Sequence, residues 1–466
     1  MSSLSALNSL LGSSGSIDLS SILEALTGAS TPGIDVNSAV NAAVQAASAP
    51  ETYWENDENT INSQLSALQQ IQSFASSLDS DMQSLNSLTG PLSATTVTSS
   101  NSSVVTGTTV PGTTPGVTTV VVNSLAAGDT WSSGVVASST AALPAGTFTI
   151  TPAGGLATTI TIGSGVNSLS DLANAINGDN LGVTANVITD ANGARLSIVS
   201  NSSGSGNDFT VASSGLSFSE VVPGANASLT VNGVALSSAS NTVTGAVPGL
   251  TLNLLNAAPG TQISLTVSPN TSQVSSAVNQ FVSDYNTLIQ AVNSQYSDSG
   301  SGEGVLATDP TLRNLQTELF QAVDYSSSTS GSISGLSSLG ITVNKDGTLS
   351  VNSSALSSAL QNNFTSVQNF FQGSALNGFA NSLDQQLTSF INPGDGAFTV
   401  DLQSMNTQLT TYQTDITNFQ NNIIAPLQQR LQTEYSNAEI ALQQLPEEMK
   451  NIDAELGLNN NNSSNG

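Results

Sequence analysis

The chain contains no cysteine and no histidine among its 466 residues. Without cysteine, disulfide bonds and thiolate metal sites are excluded. Without histidine, the usual general base near neutral pH is missing, and so are the Ser-His-Asp and Cys-His arrangements of nucleophilic catalysis. No motif for catalysis, for a cofactor or for a metal ion replaces them. We therefore expect no catalytic residues, no cofactor, no metal site and no enzymatic activity.

Positive charge is also scarce. Lys and Arg number five against 32 Asp and Glu, which gives a net charge of −27. Affinity for nucleic acids and for anionic membrane surfaces depends on many basic side chains, so neither partner is expected. The sequence has no run of 18 apolar residues, so no membrane-spanning helix is predicted. The N-terminus lacks the positive region of a secretory signal peptide, so any export is expected to occur without a cleaved signal.

A heptad pattern occupies the C-terminal part of the chain. Its apolar residues recur at alternating steps of three and four, and they are Leu402, Met405, Leu409, Tyr412, Ile416, Phe419 and Ile423. This pattern is typical of a helix that buries one apolar stripe against another helix. With Pro426 treated as a kink, the helix is predicted to run from about Val400 to Leu445.

A second helical pattern between residues 51 and 88 offers a partner for the first. Its apolar positions include Ile61, Leu65, Leu68, Leu78, Met82 and Leu85, and Gly90-Pro91 ends it. We expect the two patterns to pair antiparallel within one chain, although the same stripe also fits a contact between subunits. The acidic residues near its start, Glu51, Glu55, Asp57 and Glu58, are expected to form a solvated face. Trp54 and Trp131 are expected to be packing anchors.

Residues 93–270 have a different texture, rich in Thr, Val, Ser and Gly. Alternating runs predict strands at 147–151 and 158–162, and Asn232-Gly233 predicts a hairpin over 228–236. One short helix is predicted from Ser168 to Asn177. Because the region is longer than one typical sandwich, we expect two β domains.

Helical patterns return after the β region. They cover 274–292, a stretch that begins at Pro310, and 352–371. Between the last two, residues 341–344 and 348–351 predict a hairpin around Asp346-Gly347. A calcium loop is disfavoured at this turn, because the spaced oxygens and distal Glu of such loops are missing.

The predicted fold class is therefore α+β and multidomain, with the N- and C-terminal helices paired as a coiled-coil or helical-bundle stalk and two inserted, mainly-β head domains. Five parts are expected: 1–40, a flexible helical segment that pairs with the C-terminal tail in an assembly; 41–92 with 272–430, the helical stalk; 93–140 with 222–271, the lower β domain; 141–221, the upper β domain; and 431–466, a C-terminal helix with a disordered tail.

Four passages follow one another in a characteristic order between residues 33 and 445. They are Gly33–Asp35 with Pro50 and Gln64–Leu68; Asn167–Asn177 with Gly182–Ala185, Asp190–Gly193 and Leu196–Ser200; Gly249–Leu252 with Val267 and Phe281–Asn286; and Ser338–Ile341 with Asp346–Leu349, Leu356, Leu360 and Val367–Phe371. Together they resemble the bacterial flagellar filament cap family, also called flagellar hook-associated protein 2. The second passage also resembles an insertion motif shared by flagellins and hook-associated proteins. The positions that match the family motifs are Phe281, Tyr285, Asn286, Gly340, Asp346 and Gly347.

The resemblance implies a structural protein at the distal tip of the flagellar filament, outside the cell. It implies self-assembly into a homo-oligomeric ring similar to a pentamer, which promotes flagellin insertion and prevents leakage of unpolymerised flagellin. The implied partners are other copies of the chain, flagellin, hook-associated junction proteins and an export chaperone.

Two other interpretations remain open from the sequence. The first is an adhesin whose β head binds a host or matrix ligand, although an aromatic content of 5% is low for a carbohydrate site. The second is another axial protein, such as a hook–filament junction protein or a flagellin. Flagellins lack the hairpin-and-helix block from Gly340 to Phe371, which favours the cap.

Overall fold

The computed structural model describes residues 35–296, 304–327 and 331–455. The predictions for residues 1–33 and for the tail from 459 lie outside these ranges. The helices in chain order are α1 (Val36–Ala47), α2 (Ala49–Asn86), α3 (Leu169–Gly178), α4 (Thr271–Tyr296), α5 (Pro310–Val323), α6 (Ser353–Asn362), α7 (Phe364–Gln372), α8 (Phe379–Ile391), α9 (Ala397–Phe419) and α10 (Ala425–Glu455). Within the described ranges the predicted helices are present, except that the one predicted over 352–371 is divided at Asn363 into α6 and α7; α8 was not predicted.

The strands lie mostly between α2 and α4. They are β1 (Thr95–Ser99), β2 (Val105–Thr109), β3 (Gly116–Ser124), β4 (Thr130–Ser133), β5 (Gly146–Pro152), β6 (Thr158–Ile162), β7 (Val183–Asp190), β8 (Gly193–Ser200), β9 (Phe209–Ser213), β10 (Phe218–Val222), β11 (Ala227–Val231), β12 (Val234–Ser238), β13 (Thr242–Val247), β14 (Leu250–Leu254), β15 (Ile263–Pro269), β16 (Ile341–Val343) and β17 (Leu349–Val351). All paired strands are antiparallel within the described ranges. The two predicted hairpins are confirmed, and the strands predicted at 147–151 and 158–162 are present as β5 and β6.

The lower β domain consists of a five-stranded sheet, β1-β15-β3-β11-β12, and a three-stranded sheet, β13-β14-β2. Alternating apolar residues of both sheets enclose one core, which includes Val120, Leu229, Leu252 and Leu265. Each strand exposes its other face, which explains why Thr and Ser alternate with Val and Leu in the sequence.

The upper β domain consists of a four-stranded sheet, β10-β4-β8-β7, a three-stranded sheet, β6-β5-β9, and helix α3. Its core joins the sheets to the buried face of the helix, with Phe148, Leu172, Ile176 and Leu196 among its members. The predicted lower domain extended to residue 140. That border is wrong, because β4 pairs with β8 and β10 and so belongs to the upper domain.

The chain divides into two compact units. Unit 1 comprises the described parts of Met1–Ser73, Ala291–Leu315 and Ser389–Gly466, and unit 2 comprises Phe74–Gln290 and the described parts of Gln316–Thr388. Both β domains lie in unit 2. The helical residues predicted to form a single stalk are distributed over both units, since α2 and α4 each contribute to both.

Helices α9 and α10 are joined by a π-helical turn, Gln420–Ile424, in which the Ala425 N–H donates to the Gln420 carbonyl five residues earlier. The turn precedes Pro426, whose ring removes a backbone donor and crowds the preceding turn of a regular α-helix. The break predicted at this proline is therefore present as a wide helical turn.

Candidate assembly interface

Three contacts of unit 1 join the start of α2 to the end of α9. The Gln413 Nε2 donates to the Glu58 Oε1 at 2.9 Å, and the Gln420 side chain donates to the Glu51 carboxylate. Glu51 and Glu58 are seven residues apart on α2, and their partners Gln420 and Gln413 are seven residues apart in the opposite order. This spacing is an antiparallel heptad register. Between them the rings of Trp54 and Phe419 pack edge to face with centroids 5.4 Å apart. The role of Trp54 as a packing anchor is thus confirmed.

Acidic residues belong to this seam rather than to a merely solvated face. Glu51 is only 9% exposed, and the Tyr412 hydroxyl donates to the Asp57 carboxylate. Burial and the Asp57 charge raise the pKa of Tyr412 above its ordinary value. The expectation of a solvated face is wrong for Glu51, which is buried, whereas Glu55 and Asp57 are exposed and Glu58 is half-buried. Neutral amide and hydroxyl groups are the donors to these carboxylates.

The predicted stripe of α9 faces inwards, but it is incompletely covered. Five of its members are half-buried, namely Leu402, Met405, Leu409, Tyr412 and Ile416. Phe419 is buried, and Ile423 is 44% exposed. On α2, Ile61 is half-buried, whereas Leu65, Leu68, Leu78, Met82 and Leu85 are buried. The seam between α9 and the N-terminal half of α2 is therefore less enclosed than a completed coiled coil.

The π-helical turn accounts for the exposure of Ile423. One extra residue in the turn rotates the following helix, so the half-buried stripe continues at Ile424, Leu427, Leu431 and Tyr435. The prediction that Ile423 belongs to the seam was wrong for this reason.

Helix α10 leaves much of its apolar surface uncovered. It packs against α1 within unit 1, but α1 has 12 residues and α10 has 31. Apolar side chains that remain 43% to 53% exposed are Ile440, Leu442, Leu445 and Ile452. Several exposed large aliphatic residues on one long helix are typical of a surface that contacts another chain.

The family-motif positions converge in unit 2, around the hairpin β16–β17. The Asn286 side chain donates to the Leu349 carbonyl at 2.9 Å and accepts from the Leu349 N–H at 2.6 Å. Asn286 thereby continues the ladder of β17 and fixes the hairpin to α4. Next to it, Tyr285 is fully buried and its hydroxyl donates to the Leu319 carbonyl. Phe281 packs edge to face on Phe379, with centroids 5.6 Å apart.

The three other motif positions shape the two turns of this hairpin region. Gly340 has φ +81° at the end of a short 3-10 helix, and Gly347 has φ +82° in the hairpin turn. A Cβ at Gly347 would overlap the ring of Phe320, so both the conformation and the space favour glycine. Asp346 accepts from the N–H and the hydroxyl of Thr348, and these bonds lower the pKa of its carboxyl. A structural role explains every motif position.

Sequence patterns gave no sign of a buried aspartate between the two sheets of the upper β domain. Asp129 is 1% exposed, and its Oδ2 accepts from the Phe209 N–H at 2.8 Å and from the Trp131 Nε1 at 3.2 Å. Trp131 lies on β4 and Phe209 begins β9, so this carboxylate joins the two sheets. In the sequence a single Asp before a strand is typical of a turn residue, so the buried role of Asp129 was not predicted. Trp131 is confirmed as an anchor by its ring contact with Phe209.

No group of three or more acidic side chains in the described ranges is placed to hold a metal ion. A groove on α9 is lined by Thr407, Thr410, Thr411, Thr414 and Asp415. The hydroxyls of these threonines donate to carbonyls four residues earlier in the helix. The groove therefore presents mainly methyl groups, which suit packing better than chemistry.

Comparisons with known proteins agree on one family. A model described as Flagellar hook-associated protein 2 N-terminus matches residues 32–129, one described as Flagellar hook-associated protein 2 C-terminus matches 224–447, and one described as Flagellin hook IN motif matches 147–202. The three matches lie along the chain in the order of the motifs, and the flagellin hook IN motif covers most of the upper β domain.

Individual relatives extend the similarity over most of the chain. The B-type flagellar hook-associated protein 2 of Pseudomonas aeruginosa is 28% identical over 433 residues, which are 85% of this chain and 90% of the relative. The flagellar hook-associated protein 2 of Escherichia coli is 28% identical over 77% of this chain and 83% of the relative. The crystal structure of three domains of the flagellar cap protein from Escherichia coli superposes with a TM-score of 0.58 at 29% identity, covering 73% of this chain and 99% of that one.

Order of motifs, fold and relatives agree: the chain belongs to the flagellar hook-associated protein 2 family.

Proposed function

We infer that this protein is a structural cap of the bacterial flagellar filament, located outside the cell at the distal tip. The observation that carries this function is the fold shared with a flagellar cap protein over 99% of that protein's solved domains, together with family matches at both ends of the chain. The family is structural, and the helical seam and the β domains supply packing surfaces. No helix of the described ranges is long and apolar enough to cross a membrane.

The cap is proposed to be a homo-oligomeric ring, similar to a pentamer, held together partly through α9 and α10. The support is the half-covered stripe of α9 and the exposed aliphatic residues of α10. Helix α10 spans roughly 46 Å at about 1.5 Å per residue, whereas α1 spans roughly 18 Å and covers only part of it. We propose that residues 1–40 and a second copy of the chain cover the remainder in the assembly.

Charge sets a condition on this association. The chain has a net charge of −27, and the exposed residues of α10 include Glu434, Glu447 and Glu448. Copies that meet along α10 repel one another until salt screens them, because the Debye length falls to about 8 Å at physiological ionic strength. Association is therefore expected to strengthen as salt is raised, the opposite of an interface built on ion pairs.

The proposed partners beyond the ring are flagellin, the hook-associated junction proteins and an export chaperone, and export is proposed to proceed without a cleaved signal peptide. The shared flagellin hook IN motif at residues 147–202 supports a place among axial proteins. Within the ring, the β domains are proposed to promote flagellin insertion and to prevent its leakage.

Electron microscopy of filaments labelled against this protein tests the function directly. Label confined to the distal tip is the expected result, together with short filaments and flagellin in the medium when the gene is deleted. Label along the shaft would refute the cap. Normal filaments with lost attachment after deletion would instead favour an adhesin.

The proposed assembly surface is tested with the full chain carrying Ile440→Ser and Leu445→Ser. Sedimentation at high salt should show the wild type as an oligomer and the variant shifted towards monomer, with an unchanged helical circular-dichroism signal. A matched control replaces exposed polar residues of the same helix, Gln443→Ser and Gln444→Ser, and should assemble normally. An oligomer of unchanged size in the first variant would place the interface elsewhere.

A further inference from the structure

Two pairs of carboxyl groups meet inside the helical part of unit 2. Asp79 on α2 contacts Asp384 on α8, and Asp81 on α2 contacts Asp284 on α4, each within hydrogen-bond reach. Residues two apart on a helix point to different faces. Helix α2 therefore presents one carboxyl group to each of two neighbouring helices.

One of these carboxyl groups is buried and the other three are half-buried, and several of their oxygens lack an ordinary donor. Asp79 is 7% exposed. The Oδ1 atoms of Asp79 and Asp384 and the Oδ2 of Asp81 are buried without an N–H or O–H partner. Two other oxygens of the pairs accept from amides, the Asp79 Oδ2 from Gln83 at 2.8 Å and the Asp284 Oδ2 from Gln280 at 3.0 Å.

Charge around the pairs does not compensate them. The charged groups that act on Asp79 and Asp81 within the described ranges are the opposing carboxylates, and no Lys or Arg contributes. Two ionised carboxylates in contact repel strongly where water is scarce, and one shared proton converts the repulsion into a short O–H···O⁻ hydrogen bond. The bare buried oxygens are accounted for when each pair holds one proton.

We propose that Asp79, Asp384, Asp81 and Asp284 form a proton-dependent clamp, in which each pair fastens α2 to its neighbour while it shares one proton and loosens when that proton is released to solvent. This clamp is independent of the function proposed above, because it rests on side chains inside unit 2 and not on any contact between copies of the chain.

The direction of the pH effect follows from the folded-state pKa values. Burial first, and the opposing Asp second, raise the pKa of Asp79 and of Asp81 from the ordinary 3.8 to about 7. Between these two values the folded chain binds more protons than the unfolded chain, so stability falls as pH rises from about 4 to about 7 and levels off above. For each pair the folding equilibrium constant therefore falls as pH rises through this window, because the folded state gives up a proton that the unfolded state has already lost.

The clamp is tested by thermal unfolding of the full chain, at one concentration, from pH 5 to pH 8.5. Asp79→Asn and Asp384→Asn each remove the titration of one pair and keep an amide donor for the remaining carboxylate. Each variant should lose stability less steeply than the wild type as pH rises, and should exceed it in melting temperature at pH 8. The double variant should gain little over either single variant, because both act on the same proton.

A matched control replaces an exposed aspartate of unit 2, Asp179→Asn, and should retain the wild-type slope. Infrared difference spectra supply a second measurement, because the wild type at pH 6 should show the carbonyl stretch of a protonated carboxyl group that the variant with all four residues changed to Asn lacks. The clamp would be overturned if Asp79→Asn and Asp384→Asn kept the wild-type dependence of melting temperature on pH, or if the effects of the two substitutions added. A slope that disappears with EDTA would also overturn it, in favour of a cation between the carboxylates.

Discussion

The side chain of Asn286 is bonded to both backbone polar groups of Leu349, with distances of 2.9 Å from its Nδ2 to the carbonyl oxygen and 2.6 Å from the Leu349 nitrogen to its Oδ1. An asparagine on helix α4 thus takes the place of a third strand beside the hairpin β16–β17. The hairpin has only three residues in each strand, and such short hairpins are marginal alone. The amide of Asn286 and the apolar docking of Ile341 and Leu349 together hold it.

Replacing Asn286 with Ala is expected to destabilise unit 2. The change leaves a part-buried N–H and carbonyl of Leu349 without partners, which costs about 1–3 kcal/mol. Asn279→Ala on the same helix is the control, because Asn279 is exposed and bonds only to Ser275 one turn earlier. Urea unfolding compares the two variants, and equal midpoints would show that the amide of Asn286 does not hold the hairpin.

The carboxylate of Asp129 gives a prediction for the upper β domain. Asp129→Ala deprives the Phe209 N–H and part of the Trp131 indole N–H of their acceptor in a buried site, with an expected loss of about 2–4 kcal/mol. The chain has two tryptophans, so Trp54→Phe makes Trp131 fluorescence specific to this domain. In that background the Trp131 transition should shift to lower urea.

Asp179→Ala is the control for the upper domain, because this exposed residue ends helix α3. Its Trp131 transition should stay within about 0.5 kcal/mol of the parent. If Asp129→Ala behaved in the same way, the two sheets would be joined by their apolar core alone.

The elements that the sequence predicted well are those with a clear period. Apolar residues at three- and four-residue steps identified α2, α4 and α9, and the Asn232-Gly233 and Asp346-Gly347 turns identified hairpins. The chain order of motifs indicated the family, and the comparisons confirm it.

What could not be predicted depends on contacts between residues distant in the chain. Strand β4 has four residues, and only its pairing with β8 and β10 assigns it to the upper domain. The acids Asp79 and Asp81 occupy helix positions that look solvated, and only the approach of α8 and α4 encloses them. The π-helical turn shifts the heptad stripe by one position. A heptad pattern in the sequence cannot reveal this shift, because the pattern corresponds to a regular α-helix.

The contact of Phe419 with Trp54 predicts how the seam of unit 1 responds when the Phe419 side chain is shortened. Phe419 is 6% exposed, and Phe419→Ala should cost about 3 kcal/mol in local stability through the lost burial and the cavity. Hydrogen exchange in α9 should accelerate accordingly. Ile423→Ala, four residues later and 44% exposed, should leave exchange in α9 unchanged. Similar acceleration in both variants would mean that Phe419 is not an anchor of the seam.

The π-helical turn predicts the effect of removing Pro426. Pro426→Ala restores a backbone N–H and removes the ring that crowds the preceding turn, so the helix around 420–430 should gain up to about 3 kcal/mol. Amide exchange there should slow, and closure to a regular α-helix should bring Ile423 back towards the half-buried stripe. Pro310→Ala is the control, because Pro310 occupies the first position of α5, where proline is favourable. It should give no gain. Unchanged exchange at 420–430 in Pro426→Ala would instead show that contacts of Phe419 and Gln420 with α2 hold the wide turn, with Pro426 merely tolerated beside it.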